Sequence, residues 1–310
     1  MKDLMVEDFD GMPTNVKEGE HLIKRAADPN GIPVDRAHAL VPPLKWHGGK
    51  HYLGPRIVQL MPPHIHYVEP YAGGCAVLLA KEPKNVSEVI NDRNGILMNF
   101  WTVLREGDLF ARFQRMAEAT PFSEGLWQDA MEATEKNSEQ TKQDPVRAAW
   151  LFFIYCRQSR AGQMQDFATL SRRRTRRNMN EQASAWLTAV EGLPAVHERL
   201  KRVVVLDSPA LEVIQQQDGP DTLFYLDPPY LHTTRSSTDT YGEFEMSEED
   251  HRQLLTVIKK CKGKVMLSGY PSELYSAELA GWNTHSFELP NNAAGGASKA
   301  RMTEMVWCNF

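Results

Sequence analysis

The residues best suited to chemistry form one short stretch, in which Asp227, Pro228, Pro229 and Tyr230 follow the apolar and aromatic run 223–226. Such a run is typical of a strand covered on both faces, and two prolines cannot continue a central strand. The pattern predicts that Asp227 and Tyr230 lie at the carboxyl end of a sheet, where open α/β folds bind ligands. A carboxylate, unused backbone carbonyl groups and an exposed flat ring could bind the amino group of a planar base.

Asp227-Pro228-Pro229-Tyr230 resembles the catalytic tetrapeptide of amino-group DNA methyltransferases, and its aspartate form resembles the adenine-N6 branch. The resemblance implies that these four residues are catalytic and that a methyl group passes from S-adenosylmethionine to N6 of a flipped adenine, without a metal ion. The alternative interpretation is a strand followed by a proline-rich turn in which Tyr230 is packed.

A second candidate segment, residues 46–50, reads Trp-His-Gly-Gly-Lys and precedes a predicted helix at residues 53–61. The glycines let the backbone approach a ligand closely, while Trp46 and Lys50 supply a stacking face and a cation. The segment resembles the N-terminal motif of Dam-type adenine methyltransferases, which implies that Trp46 and Lys50 contact the cofactor. We include His47 in the same pocket, although that family often has a small residue there and its role is open.

A strand, a glycine turn and a helix are predicted between residues 66 and 80, the first βα unit of a doubly wound sheet. The turn is not the G-x-G-x-x-G pattern of dinucleotide-dependent dehydrogenases. It is similar to the methionine-binding motif of the same methyltransferases. The resemblance assigns six consecutive residues to the cofactor pocket: Glu69, Pro70, Tyr71, Ala72, Gly73 and Gly74.

Two further acids end predicted strands. Asp92 follows the strand at residues 86–90, and a carboxylate there suits a pair of ribose hydroxyl groups. Alternatively, Asp92 caps the helix that follows. Asp207 ends a β-branched strand, and we expect it at the same sheet edge as Asp227, on a neighbouring strand. By position, Asp207 resembles the family residue that contacts the adenine amino group of the cofactor, and Asp227 borders the same pocket.

Residues 105–200 interrupt the alternation of strands and helices and have a helical pattern. We interpret them as a helical target-recognition insertion that binds DNA. Its arginines are concentrated in a protein of net charge −5, and they are Arg157, Arg160, Arg172, Arg173, Arg174, Arg176 and Arg177. Arginine suits phosphates and guanine edges, and Gln158, Gln163 and Asn178 could hydrogen-bond adenine. The alternative is a solvated charged loop.

The remaining segments are predicted from composition. Residues 231–246 are polar and read as a mobile substrate loop, from which Arg235 and Tyr241 are assigned to DNA contact. Residues 1–38 are acidic and rich in turn formers, which indicates a flexible N-terminal arm.

Composition limits the class of protein. Hydrophobic residues make up 42% of the chain and charged residues 24%, ordinary values for a globular protein. The four cysteines are widely spaced, and no apolar run reaches the length of a membrane span. Strand alternation explains the pair His64 and His66 without a metal ion. We expect a monomer in the cytoplasm of a bacterium or a phage-infected cell, on DNA and not on a membrane.

These observations predict an α/β fold, namely a Rossmann-like, S-adenosylmethionine-dependent methyltransferase sheet with helices on both faces. The catalytic domain would comprise residues 39–104 and 201–310. Three alternatives stay open: the same fold acting on RNA or a protein amide, a nucleotide-dependent oxidoreductase, and a non-catalytic DNA-binding module. The last would leave the tetrapeptide 227–230 unexplained.

Overall fold

A computed structural model describes residues 39–135, 143–234, 242–290 and 301–310, all of which belong to one compact unit, residues 36–310. The predicted N-terminal arm, residues 1–38, lies outside the described residues. No described helix is both long and apolar enough to cross a membrane.

Nine strands occur in the described residues. They are β1 (His66–Glu69), β2 (Ser87–Asn91), β3 (Thr175–Arg176), β4 (Met179–Asn180), β5 (Val203–Leu206), β6 (Thr222–Leu226), β7 (Lys264–Gly269), β8 (Asn283–Pro290) and β9 (Arg301–Cys308). Seven of them form one sheet in the order β5-β2-β1-β6-β7-β9-β8. The first five in this order are parallel, and β9 is antiparallel to both of its neighbours. The predicted α/β fold with a mostly parallel sheet is confirmed.

The described α-helices flank this sheet. They are α1 (Gly54–Gln59), α2 (Ala76–Ala80), α3 (Gly95–Arg105), α4 (Gly107–Glu118), α5 (Glu124–Glu135), α6 (Pro145–Gln158), α7 (Glu181–Leu200), α8 (Ala210–Gln217), α9 (Glu248–Ile258) and α10 (Glu273–Glu278). Alternate strand residues point to opposite faces. Tyr67 and Tyr225 pack with α1 to α7, whereas Val68 and Phe224 pack with α8 to α10. The prediction of helices on both faces is confirmed.

Between α3 and β5 the chain forms α4 to α7 and the small hairpin β3-β4. Phe113, Phe153 and Trp186 of this region are buried in the same cluster as Tyr67 of the sheet. The Trp186 indole N–H donates to the Thr120 carbonyl at 2.7 Å, so its one polar atom is satisfied inside the core. The insertion therefore packs directly on one face of the sheet.

The arginine-rich segment contains the β3-β4 hairpin, which the sequence pattern did not predict. Arg177 and Asn178 form its two-residue connection with φ of 52° and 60°. Two consecutive residues in the left-handed region match the twist of a tight hairpin, and asparagine adopts that region more readily than most residues. The hairpin gives the arginines a defined backbone.

One topological prediction is wrong: Asp207 and Asp227 do not follow neighbouring strands, because β2 and β1 lie between β5 and β6. The strand β5 pairs with the side of β2 that faces away from β1. After α8 the chain crosses β2 and β1 and enters β6, which pairs with the opposite side of β1. Both strands still run parallel to β1 and end at the same edge. The strand order reverses between β1 and β6, the place where such sheets bind ligands.

Candidate active site

Three loops at the carboxyl edge of the sheet are joined by Asn91, the last residue of β2. Its side-chain NH₂ group donates to the carbonyls of Pro70 and Ser208 at 3.1 and 3.0 Å, and its Oδ1 accepts from the Ser208 N–H at 3.0 Å. Its backbone carbonyl accepts from Ala72 at 2.9 Å. Sequence reasoning missed this role, although a polar residue ending a buried strand was a signal.

Trp46 lies against the glycine turn, which brings the first two predicted motifs together. A Cβ atom on Gly73 would lie 2.7 Å from the indole nitrogen of Trp46, and one on Gly74 would lie 2.8 Å from its Cβ. Gly73 also has φ of +47°. Both the backbone conformation and the close approach therefore require glycine at residue 73.

Asp92 holds the glycine turn through hydrogen bonds. Its Oδ2 accepts from the Gly73 N–H at 3.0 Å and its Oδ1 from the Asn94 N–H at 3.1 Å. Asn94, not Asp92, is the N-cap of α3, because its side chain accepts from the Leu97 N–H. The alternative that Asp92 caps α3 is therefore wrong. Burial raises the pKa of Asp92, and the nearby charge of Asp207 acts in the same direction.

Asp207 is exposed and lies near the start of α3, where its Oδ2 would be 3.5 Å from a Cβ on Gly95. The two acids thus border the same edge of the sheet. Of the other residues assigned to the cofactor pocket, Pro70, Ala72 and Gly74 are buried, whereas His47 and Tyr71 are half-buried.

Glu69 ends β1 as predicted, but its carboxyl group is enclosed, with 2% of the residue exposed. The Tyr67 hydroxyl donates to its Oε1 at 2.7 Å. Burial raises the pKa of Glu69 to about 8. The side chain therefore lies in the sheet face beneath the site.

The tetrapeptide follows β6, in which all five residues are buried. Asp227 accepts from the ammonium group of Lys50, whose Nζ lies 2.8 Å from both carboxylate oxygens. The Tyr230 hydroxyl donates to Asp227 Oδ1 at 3.0 Å. The segment 46–50 and the tetrapeptide, far apart in sequence, are in direct contact. Pro228 is buried and Pro229 half-buried.

The prediction of an exposed tyrosine ring is wrong, since Tyr230 is only 8% exposed. Tyr270 packs edge-on against the ring at 4.6 Å, and the Lys50 ammonium lies 4.9 Å from its centroid. The hydroxyl also hydrogen-bonds with Glu304. Because its hydroxyl group bonds with Asp227 and Glu304, the Tyr230 ring is directed into the protein.

Glu304 of β9 is a site residue that sequence reasoning missed. It is 3% exposed, and its Oε1 lies 3.6 Å from Lys50 Nζ. A signal was present: Glu304 shares strand parity with Val306 and Cys308, so the pattern placed it on the buried face. Lys50, Asp227, Tyr230 and Glu304 are called the Asp227 cluster below.

The arginines of the insertion divide into those with and those without a side-chain partner among the described residues. Arg160, Arg172, Arg173 and Arg176 are exposed and have no ion-pair partner among the described residues. Arg174 pairs with Glu181 at 3.1 Å, and Arg177 makes a two-pronged contact with Glu191 at 2.8 and 2.9 Å. Arg157 is half-buried and donates to the Ala185 carbonyl at 3.2 Å, which anchors α6 to α7.

Two other predicted contacts differ from expectation or lie outside the described residues. Gln158 is fully buried and bonds to the Ser123 N–H and the Pro121 carbonyl, so its predicted contact with adenine is wrong. Gln163 and Asn178 are exposed. Arg235 and Tyr241 lie outside the described residues.

A cavity of about 500 Å³ lies where the segment before Trp46 meets the insertion. Its lining includes Lys45, Arg160, Arg174, Ser171 and Gln182. Lys45 Nζ donates to Gln182 Oε1 at 3.3 Å. Burial lowers the pKa of Lys45 to about 8, and the charge of Arg157 acts in the same direction. No local pattern pointed to Lys45, because the insertion supplies its surroundings.

His64 and His66 have hydrogen-bond partners of their own, the Pro62 carbonyl at 2.8 Å and the Gln217 side chain at 3.0 Å. No group of three or more acidic, histidine or cysteine side chains among the described residues is arranged to hold a metal ion.

Comparison with known proteins identifies a family and a curated relative that this chain resembles. The family model for D12 class N6 adenine-specific DNA methyltransferase matches residues 46–291. The type II methyltransferase M1.LlaDCHI of Lactococcus lactis subsp. cremoris is 27% identical over 289 residues, which cover 87% of this chain and 96% of the relative. The family range includes the tetrapeptide and the insertion and stops before β9.

Proposed function

The chain belongs to the D12 class N6 adenine-specific DNA methyltransferases. We propose that it transfers a methyl group from S-adenosylmethionine to N6 of adenine, and that Asp227 binds the amino group that is methylated. The observation that carries the proposal is the position of Asp227 at the carboxyl end of β6, next to the strand-order reversal and in contact with Lys50. This carboxylate, 18% exposed, is the acceptor that an amino group needs.

The residues at the carboxyl edge fit the cofactor. Asp92 and Asp207 offer carboxylates for ribose hydroxyl and adenine amino groups, and the turn 70–74 is fixed by Asn91 and Asp92. Trp46 and Glu69 border this turn. S-adenosylmethionine, when bound there, supplies an electrophilic methyl group on a positively charged sulfur.

The chain's own residues would hold the amino group. Adenine N6 is unreachable inside a stacked duplex, so the target base must be flipped out. Asp227 and the Pro228 carbonyl, which accepts no hydrogen bond from the described residues, would accept the two N6 hydrogens. Holding both hydrogens directs the nitrogen lone pair at the methyl carbon, whose bond to sulfur would break as the bond to nitrogen forms. One of the two N6 hydrogens would then be lost to water as a proton, which leaves the product amine neutral. Alignment and charge complementarity would supply the rate.

Lys50 and Tyr230 would have to adjust when the base enters. The Lys50 ammonium occupies the donor position on Asp227 that the amino group would take, and it also lies over the Tyr230 ring. Stacking of the base on that ring would therefore require the ammonium to move aside.

The insertion, residues 105–200, would bind the DNA around the target. The exposed arginines of the hairpin region and the cavity lined by Lys45, Arg160 and Arg174 support this role. Phosphate contact needs such cations, and arginine binds phosphate through two parallel hydrogen bonds. Residues 39–104 and 201–310 would then form the catalytic domain.

The test is transfer of tritium from labelled S-adenosylmethionine to mixed-sequence duplex DNA. Asp227→Ala should lower the transfer rate at least about a hundredfold, because the acceptor for the amino hydrogens is removed. Asp129→Ala, an exposed acid on α5, is the control and should transfer at the wild-type rate. Equal rates for Asp227→Ala and wild type would contradict the proposal.

A further inference from the structure

The Asp227 cluster contains a row of three oxygen atoms that needs more hydrogens than its phenol can supply. Tyr230 Oη hydrogen-bonds with Glu304 Oε1 on one side and lies 3.0 Å from Asp227 Oδ1 on the other. A phenol has one hydrogen and can direct it along only one of these two contacts. The second contact therefore needs a hydrogen from a carboxyl group.

Glu304 is the better holder of that hydrogen. Both oxygens of Asp227 lie 2.8 Å from Lys50 Nζ, whereas Glu304 lies 3.6 Å from it. Glu304 is also the more deeply buried acid, with its side chain 4% exposed against 18% for Asp227. Closeness to the ammonium group and exposure to water both disfavour a proton on a carboxyl group, and both are less at Glu304, so the extra hydrogen belongs there.

The charge of the cluster points to the same assignment. Lys50 contributes one positive charge, and two ionised carboxyl groups would leave a net negative charge among side chains that are almost entirely buried. An uncompensated buried charge is strongly unfavourable. One proton on Glu304 makes the cluster neutral. Burial raises the pKa of Glu304, the charge of Asp227 acts in the same direction, and Lys50 and Tyr230 oppose them.

We propose that Glu304 is a positioning residue that stays protonated at neutral pH and donates to Tyr230, which in turn donates to Asp227 Oδ1. This inference rests on the proposed function, since the amino group would bind at Asp227. The chain of donors gives Asp227 Oδ1 a hydrogen bond and fixes the orientation of the phenol. It also leaves Oδ2, which only Lys50 contacts among the described residues, for the incoming amino group.

Two substitutions separate a donated hydrogen from a charge. Glu304→Gln keeps a donor of similar shape without any charge, whereas Glu304→Met fills the space without a donor. We expect methyl transfer in a single turnover to be about tenfold faster in Glu304→Gln than in Glu304→Met, the size of one hydrogen bond. Equal rates in the two variants would overturn the proposal.

The pH profile gives a second readout. The titratable groups that face Glu304 are Lys50, Asp227, Tyr230 and Tyr225. Wild-type transfer should slow at alkaline pH as Glu304 ionises, since two carboxylates then compete for one phenol hydrogen. The four groups that face Glu304 are unchanged in Glu304→Gln. In this variant the part of the alkaline decline that is due to ionisation of Glu304 should be absent. The same alkaline decline in Glu304→Gln would overturn the proposal.

Tyr230→Phe tests the path without altering Glu304. It should slow transfer in the wild-type background and have little further effect in Glu304→Met, because the path to Asp227 is already interrupted there. Additive effects of the two substitutions would contradict a shared path.

Infrared spectroscopy of the protein without DNA keeps this inference separate from the proposed function. The difference spectrum between wild type and Glu304→Gln at neutral pH should contain the carbonyl band of a protonated carboxylic acid. A carboxylate band in its place would overturn the proposal. Absence of methyl transfer by wild type, with the acid band present, would instead count against the proposed function.

Discussion

Glu69 and Asp227 are acidic side chains at the ends of adjacent strands, yet their surroundings differ. Asp227 has a lysine at 2.8 Å and partial access to water, whereas Glu69 has a tyrosine hydroxyl and almost no access to water. A phenol stabilises a carboxylate much less than an ammonium group does. Burial therefore determines the pKa of Glu69 and makes the contribution of this residue to stability depend on pH.

The pKa of Glu69 is raised from 4.5 to about 8, so its protonated form is the one that the fold accommodates. Its contribution to stability is fully present below pH 4.5 and is lost as pH rises through about 8. Glu69→Gln should therefore be more stable than wild type by about 2 kcal/mol at pH 9, and this difference should shrink towards pH 5.

Urea unfolding at pH 5, 7 and 9 checks this prediction. Glu118→Gln, an exposed residue of α4, is the control and should change the free energy of unfolding by less than about 0.5 kcal/mol at each pH. A Glu69→Gln difference that does not depend on pH would show that the carboxyl group is ionised in the fold.

Short motifs identified part of the site at this scale. Asp227, Trp46 and Gly73 stand in local patterns of residue type, so their sequence neighbours were informative. Asn91, Glu304 and Lys45 depend on partners from other elements, which no local pattern contains. The burial of Tyr230 was missed for the same reason, because its hydroxyl partner is 74 residues away.

The elements themselves follow closely from periodicity. The predicted strand at 223–226 is β6, Thr222–Leu226, and the predicted strand at 86–90 is β2, Ser87–Asn91. Strand order was harder to predict, since it depends on which side of β1 each later strand occupies.

Besides its apolar packing, the insertion is attached to the sheet by a buried ion pair and to the segment before Trp46 by a close backbone contact. Arg199 of α7 makes a two-pronged, buried contact with Glu88 of β2 at 2.6 and 2.8 Å, and Lys81 lies 3.2 Å from the same carboxylate. Gly162, which follows α6, packs on the Lys45 backbone. The second contact joins the insertion to the segment that holds Trp46.

Gly162 cannot accept a side chain at this contact. It has φ of +71°, and an added Cβ would lie 1.8 Å from the Lys45 carbonyl oxygen. Gly162→Ala should therefore lower the free energy of unfolding by about 2 kcal/mol or more, because the backbone must shift. DNA affinity should fall with it, since Lys45 and Arg160 line the cavity beside this contact.

The matched control is Gly192→Ala in α7, where an added Cβ would have no neighbour within 4 Å. Alanine should stabilise that helix by about 0.5–1 kcal/mol. Thermal unfolding and DNA binding of both variants check the pair. A Gly162→Ala protein as stable as wild type would contradict the packing described here.

The whole molecule carries a net charge of −5, so attraction to DNA has to be local. The hairpin region supplies exposed arginines on a defined backbone, next to the cavity at Lys45. Arg172, Arg173 and Arg176 have no ion-pair partner among the described residues and are therefore the side chains best placed for phosphate contact.

Substitution of these three arginines by alanine should weaken DNA binding and reduce its salt dependence. Removing each arginine–phosphate pair should lower the slope of log affinity against log salt by about 0.9. Binding titrations at several salt concentrations measure that slope. Arg252→Ala, on α9 and paired with Glu248, is the control. An unchanged slope in the triple variant would show that these arginines do not bind phosphate.

The proposed activity is tested most directly by identifying the methylated product with mass spectrometry. Wild type and S-adenosylmethionine are incubated with one of three acceptors in parallel reactions: duplex DNA, RNA or a glutamine-containing peptide. We predict N6-methyladenine from DNA with wild type, and at least about a hundredfold less of it in the same time with Asp227→Ala. Methylated cytosine, or methylation of RNA or peptide in place of DNA, would contradict the proposed function.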